Sequence, residues 1–301
     1  MMKVLCFGSL NIDYTYRVPH FVQKGETLAA EDMKVFCGGK GFNQAVAFAR
    51  AGVETCQAGA VGRDGLFLLD SLKAAGVDTG FVSVLEDQKT GCAIIQNDHS
   101  GDNCIMLYGG TNRAITREMA DGVLEHFGQG DVLVLQNEIN GIPYIMEKAH
   151  ARGMKIVLNP SPMDDAIRTF PLQMVDYFFL NQVEACQLLD GKNREEPEKQ
   201  LDALQQRFPS AAIVLTLGEK GSLYADGTQK HAQSAFRVKA VDTTAAGDTF
   251  TGFLMGGLLS GRTVPEAMEL AAKASAIAVT RPGASPSIPA LEEVLRWQGQ
   301  D

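Results

Sequence analysis

Asp131-Val132-Leu133-Val134-Leu135 and Lys155-Ile156-Val157-Leu158 are unbroken apolar runs, and residues 142–152 between them form an amphipathic stretch. A run without polar alternation reads as a strand buried on both faces, and the amphipathic stretch reads as the helix that covers one of them. The unit continues outward in both directions. Residues 116–127 read as a helix before it. Beyond it come a short strand at Tyr177-Phe178-Phe179-Leu180, helices at roughly 182–190 and 195–207, and a strand at 212–217. The pattern predicts a mostly parallel sheet with helices on both faces, and ligands beyond the carboxyl ends of its strands. Polar residues stand at those ends. Leu135 precedes Gln136-Asn137-Glu138, Leu158 precedes Asn159-Pro160, Leu180 precedes Asn181-Gln182-Val183-Glu184, and Leu215 precedes Thr216-Leu217-Gly218. Each alone reads as a turn or cap; together along one edge they predict a polar crevice.

The N-terminal third has a different rhythm. Val4-Leu5-Cys6-Phe7 reads as a buried strand ended by Gly8-Ser9. In the following Asn11-Ile12-Asp13, extended chain points both polar side chains the same way, toward a shared ligand; an Asx turn is the alternative. Residues 14–36 alternate partially. Two apolar runs at 92–97 and 103–108 flank Asp98-His99-Ser100-Gly101-Asp102, a hairpin signature. These segments predict a small separate sheet. Between them, Gly38-Gly39-Lys40-Gly41-Phe42-Asn43 leads into a small-residue helix, with Asn43 one turn inside it. It is not a P-loop, because the chain contains no GxxxxGK[ST].

Near the other end, a β-like run at 236–241 is followed by Asp242-Thr243-Thr244-Ala245-Ala246-Gly247-Asp248-Thr249 and an apolar helical run at 250–259. Small residues at a helix start leave N–H groups uncovered at the positive end of its dipole, a setting for phosphate or a developing oxyanion. Asp248 there reads either as a helix N-cap or as a base for a hydroxyl held against that anion hole. A long Ala-rich helix at 265–280 and a surface helix at 291–297 close the chain.

Composition narrows the function. At 301 residues and 45% hydrophobic content, the chain suits one α/β domain with an appendage. A net charge of −9 disfavours nucleic acid or anionic membrane as partners. Six cysteines without CxxC spacing read as free thiols in a reducing compartment. With no signal-like h-region and no apolar run of roughly 18 residues, the expectation is a soluble, cytoplasmic protein. The five histidines show no metal-ligand spacing, and GxSxG, HRD and DFG are absent. A glycine-lined turn, acidic and amide groups along one edge, and an anion hole with a carboxylate match phosphoryl transfer to an alcohol.

Gly38-Gly39-Lys40-Gly41-Phe42-Asn43-Gln44-Ala45 and Asp242-Thr243-Thr244-Ala245-Ala246-Gly247-Asp248-Thr249-Phe250-Thr251-Gly252 resemble the two signature motifs of the PfkB, or ribokinase-like, family of sugar kinases. The likeness extends from Gly8 to Gly283. It implies a single α/β domain over residues 1–301, a ribokinase-like three-layer α/β/α sandwich with a mostly parallel central sheet. A small β-sheet lid would come from about 12–36 and 90–110. The resemblance implies that Asn11, Asp13, Gly39, Lys40, Asn43 and Glu138 hold the sugar. Asp248 would be the base, and Ala245, Ala246 and Gly247 the anion hole. For ATP it implies Asn181, Thr216, Gly218, Gly221 and Gly247, with Ala272 near adenine, and Glu184 acting on Mg²⁺. A monovalent cation, K⁺, would lie among Asp242, Thr244, Ala278, Arg281, Gly283 and Ser287. The implied reaction is ATP-dependent phosphorylation of a primary hydroxyl, with O5 of D-ribose as the expected acceptor, in a homodimer paired through the lids. The alternatives are a deoxyribose, fructose-type or nucleoside acceptor, or a sensor without catalysis. Phe42 stands where the family usually has a small residue and would narrow the sugar pocket.

Overall fold

The apolar runs pair as their composition requires. The computed structural model describes residues 2–100, 102–191 and 196–299. Its strands are β1 (Val4–Phe7), β2 (Asn11–Arg17), β3 (Asp32–Gly38), β4 (Thr55–Val61), β5 (Asp78–Val84), β6 (Gly91–Asn97) and β7 (Asn103–Tyr108). These are followed by β8 (Val132–Gln136), β9 (Lys155–Asn159), β10 (Tyr177–Asn181), β11 (Ala212–Thr216), β12 (Ser222–Ala225) and β13 (Lys230–Gln233). Nine of them form a sheet in the order β13-β12-β11-β10-β9-β8-β1-β4-β5, parallel from β11 through β5, with β12 and β13 antiparallel at one edge. Strand order reverses direction between β8 and β1, the place where such sheets open a crevice.

The helices are α1 (Lys40–Arg50), α2 (Leu66–Ala74), α3 (Arg117–Leu124), α4 (Ile142–Ala151), α5 (Gln182–Leu188), α6 (Pro197–Arg207), α7 (Ala246–Leu259), α8 (Val264–Val279) and α9 (Leu291–Arg296). Successive strand residues point to opposite faces, so the sheet feeds two cores. Leu133, Leu135, Ile156 and Leu158 pack with α3 to α6. Val132, Val134 and Val157 pack with α1, α2, α7, α8 and α9. The result is the expected three-layer sandwich. No helix among the described residues is long and apolar enough to cross a membrane.

A second sheet has the order β3-β2-β6-β7, in which β2 and β6 pair in parallel with Asn11 beside Gly91 and Asp13 beside Ala93. It uses the segments expected to stand apart from the main layer. Gly101, within the expected hairpin turn, and the expected helix start at 195 lie outside the described residues.

Other expectations change. Residues 236–241 form no strand. Val241 N–H instead donates to the Val279 carbonyl at 2.7 Å, and the Phe236 ring packs edge-on against Trp297 at 5.2 Å. That segment is tied to the end of α8 and to the residue that closes the C-terminal helix. Conversely, β5 forms although its composition gave weak warning; its partly exposed residues pair with β4 at the sheet's end. Phe42 is fully buried in the core against the α7 side and lies outside the crevice, so it does not narrow the pocket.

The contact between α1 and α7 positions the site. A Cβ on Gly252 would overlap Ala47 Cβ and lie 2.8 Å from Phe48 N, so the two helices touch through backbone. Gly252→Ala should therefore lower stability by about 1–3 kcal/mol through overpacking. Denaturant unfolding reads this directly, and an unchanged midpoint would contradict the close approach.

Candidate active site

Three chain segments meet at the carboxyl ends of the central strands. The first is the turn after β1. Ser9 Oγ donates to Glu138 Oε2 and accepts from Gly41 N–H at 3.2 Å, while Lys40 N–H donates to the same Glu138 oxygen at 3.0 Å. The second is the glycine turn into α1. Gly39 has φ 94°, and a Cβ there would lie 2.9 Å from the Ser9 carbonyl, so only glycine brings this turn against β1. The third is the start of α7.

At that start the helix begins at Ala246, with Ala245 as N-cap in the left-handed region at φ 60°. Such a conformation costs a non-glycine residue roughly 1–2 kcal/mol. Ala246 N–H donates to the Thr243 carbonyl and Thr249 N–H to the Ala245 carbonyl. The Gly247 and Asp248 amides have no backbone acceptor among the described residues. Asp248 is not the N-cap, and no side chain caps the helix. Its buried carboxylate turns inward instead. Asp248 Oδ2 accepts from Asn43 Nδ2 at 3.1 Å and Oδ1 from Gln44 Nε2 at 2.9 Å. Helix capping therefore does not account for this residue.

A cavity of about 210 Å³ collects Lys40, Asn159, Ser161, Asn181, Glu184, Thr216, Thr243 and residues 245–248. The polar crevice expected from the strand ends is thus present at β9, β10 and β11. Asn181 and Glu184 form a capping box on α5: Asn181 Oδ1 accepts from Glu184 N–H at 2.9 Å, and Glu184 Oε2 accepts from Asn181 N–H at 3.0 Å. That contact uses only one of the two Glu184 oxygens. Burial pulls the Lys40 pKa down, but the negative charges of Asp248, Glu138 and Glu184 outweigh it and hold the ammonium above its ordinary value.

Asn11 and Asp13 do share one face of β2, and both are buried. Asn11 Oδ1 accepts from Asn112 Nδ2 at 2.7 Å. Asp13 Oδ1 is buried without a partner. Burial, reinforced by the charge of Glu138, pushes the Asp13 carboxyl up to about 7. A buried carboxylate with an unused acceptor is built for a hydroxylated ligand.

Gly218, Gly221 and Ala272 do not line the cavity. The two glycines flank the turn after Thr216, and Ala272, itself on α8, packs into the core. Asp242 stitches two loops together, accepting from Thr244 N–H and Gly283 N–H, each at 2.9 Å. These bonds lower its pKa against the opposing effect of burial. Arg281 pairs with Glu293, and Ser287 Oγ donates to the Ala284 carbonyl at 2.7 Å. Among the described residues no cluster of three His, Cys, Asp or Glu could hold a metal. A cation here would rely on single carboxylates, carbonyls and ligand oxygens, as Mg²⁺ and monovalent ions commonly do.

Sequence reasoning missed Ser9, Gln44 and Asn112 as parts of the site, and gave Gln136 no place beyond the polar strand ends. It also missed Gly38 and Gly91, where a Cβ would overlap the carboxylate of Asp13 and the amide groups of Asn11 and Asn112 respectively. Gln44 lay within a quoted motif, but nothing in its spacing distinguished it from a helix-packing residue. Asn112 acquires its place only because β6 leads back beside β2.

The profile of the pfkB family of carbohydrate kinases matches residues 1–291. A ribokinase of Staphylococcus aureus is 37% identical over 97% of this chain and 98% of its own. The structure of a Cryptococcus neoformans ribokinase in complex with ADP superposes with a TM-score of 0.85 at 31% identity, covering 98% of each chain. An Arabidopsis thaliana ribokinase complexed with ribose and ATP gives 0.85 at 26% identity, covering 98% of this chain and 97% of that one.

Asp13 carries a prediction about stability. Its folded-state pKa near 7 lies above the ordinary carboxylate value, so the folded protein holds this proton more tightly than the unfolded chain. The resulting stabilisation is complete at low pH and is lost as pH rises from about 4 through 7. Asp13→Asn should therefore gain thermal stability over the parent across that window and hold the gain above it. A difference independent of pH would refute the burial argument.

Proposed function

The chain belongs to the pfkB family of carbohydrate kinases, and from that premise we propose that it transfers the γ-phosphoryl group of ATP to O5 of D-ribose, giving D-ribose 5-phosphate. The observation that carries this reading is the Asp248 carboxylate, turned into a cavity shared with Lys40 and the uncovered amides of α7. Asn11, Asp13, Gly39, Lys40, Asn43 and Glu138 hold the sugar, with Asp13 accepting a hydroxyl proton on its unused oxygen. Asp248 receives the proton of O5 as that oxygen forms its bond to the γ-phosphorus and the bond to the ADP oxygen breaks. The amides at Ala245, Gly247 and Asp248 stabilise charge on the transferring group, whereas the Ala246 N–H, expected to join them, is taken by the Thr243 carbonyl. The second sheet covers the sugar as a lid, within a single domain.

Asn181, Glu184 and Thr216, which line the cavity, serve the phosphates, and Gly218 and Gly221, on the turn just outside it, serve the rest of the nucleotide. Mg²⁺, when bound, neutralises phosphate charge; the free oxygen of buried Glu184 suits it. K⁺ fits the loop pair held by Asp242, with Thr244, Ala278, Arg281, Gly283 and Ser287 supplying mostly carbonyl oxygens. A second copy of the chain would cover the exposed apolar residues Met33, Val35, Ile105, Met106 and Leu107 of the lid.

Removing a positioned base typically costs 10²–10⁴-fold in rate. Asp248→Asn should lose about that much kcat while sugar affinity measured by calorimetry stays close to the parent; retention of parental kcat would remove Asp248 from the role of base. In a coupled ADP assay against ribose, 2-deoxyribose, fructose and nucleosides, ribose should give the highest kcat/KM. No turnover of ribose would overturn the acceptor. Tight sugar binding without ADP release in Mg²⁺ and K⁺ would favour a sensor.

A further inference from the structure

Behind Asp248 lies a buried chain of two amides that the assigned roles leave unused. Gln44 Nε2 donates to Asp248 Oδ1 at 2.9 Å, and Gln136 Nε2 donates to Gln44 Oε1 at 2.7 Å. Both glutamines are completely buried. The carboxylate sets the polarity of the whole chain. An ionised carboxylate only accepts, so Gln44 must present its NH₂ to Asp248 and its oxygen to Gln136. Gln136 must then present its own NH₂ forward, which leaves its oxygen facing Gly8, buried and without a partner. That orphan acceptor is an unfavourable feature of the core. Each alternative flip would set oxygen against oxygen.

The two amides also come from different layers. Gln136 ends β8 in the sheet, Gln44 lies one turn into α1, and Asp248 lies in the first turn of α7. We propose that Gln44, backed by Gln136, is a positioning residue for phosphoryl transfer: it fastens Oδ1 of Asp248 and so aims Oδ2 at the acceptor hydroxyl. This rests on Asp248 being the base. Asn43 bonds to Oδ2, the oxygen the substrate would approach. Gln44 therefore acts on the far oxygen and touches no substrate.

The test is a double-mutant cycle between Gln44→Met and Asp248→Asn, with kcat and sugar KM measured for all four proteins and thermal unfolding as a check on folding. Gln44→Met should lower kcat by about 10- to 100-fold, the span associated with losing a hydrogen bond to a charged group, with sugar KM nearly unchanged. In the Asp248→Asn background the same substitution should alter the residual rate by less than about twofold, because its effect runs through the carboxylate. Gln136→Met, one link further back, should act in the same direction by a smaller factor. It becomes the deciding variant if Gln44→Met does not fold. An unchanged kcat in the folded variant, or an equal fall in both backgrounds, overturns the proposal. If Asp248→Asn itself keeps parental kcat, the base assignment fails instead, so the two failures are distinguishable.

Discussion

The site depends on how closely α1 and α7 approach each other. Two helices carrying ordinary side chains at their contact stand 8–10 Å apart. Here Gly252 faces Ala47, and on the other side of α1 the backbone at Gly41 lies against that at Gly8. With only the Ala47 methyl in one gap and no side chain in the other, α1 is held between the first strand and the late helix. Asn43 and Gln44 are consequently brought to the carboxylate of Asp248, some two hundred residues away in sequence. Any bulk in that contact separates the amides from the carboxylate.

Electrostatics then sets the character of the cavity. Glu138, Glu184 and Asp248 are gathered around one lysine in a chain that is already negative overall. The acidic groups raise the Lys40 pKa, while Asp13 resists ionisation near neutrality. Uncovered amides at α7 and the lysine give the cavity a local positive potential, despite the net charge. Local dipoles outweigh distant charge because exposed charges are screened beyond about 10 Å, whereas the cavity lies within contact distance of the helix start.

Several residues have two plausible uses, and geometry separates them. Asn181 and Glu184 do cap α5, and they also line the cavity, so capping does not withdraw them from it. Asp248, which resembles a cap by residue type and position, caps nothing. Asp242 resembles a metal ligand, yet both its oxygens accept backbone N–H groups, and its direct role is to join two loops.

Local pattern alone determined much of this protein. Apolar runs such as Val132–Gln136 are buried on both faces wherever they fall, so the parallel sheet, its covering helices and the polar strand ends were legible from composition and period. The two glycine-rich motifs were legible because only small residues permit such turns. Tertiary structure decided the rest. The strand expected at 236–241 was drawn to α8 by hydrogen bonds from Val241 and Asp242 to the Val279 carbonyl, a preference no local alternation encodes. Phe42 went to the core because α1 turns that face inward. The partners of Asp13 and Asp248, namely Gly38, Gln44 and through it Gln136, became meaningful only when distant segments met. A side chain's hydrogen bonds depend on distance in space, whereas the pattern of a sequence records only distance along the chain.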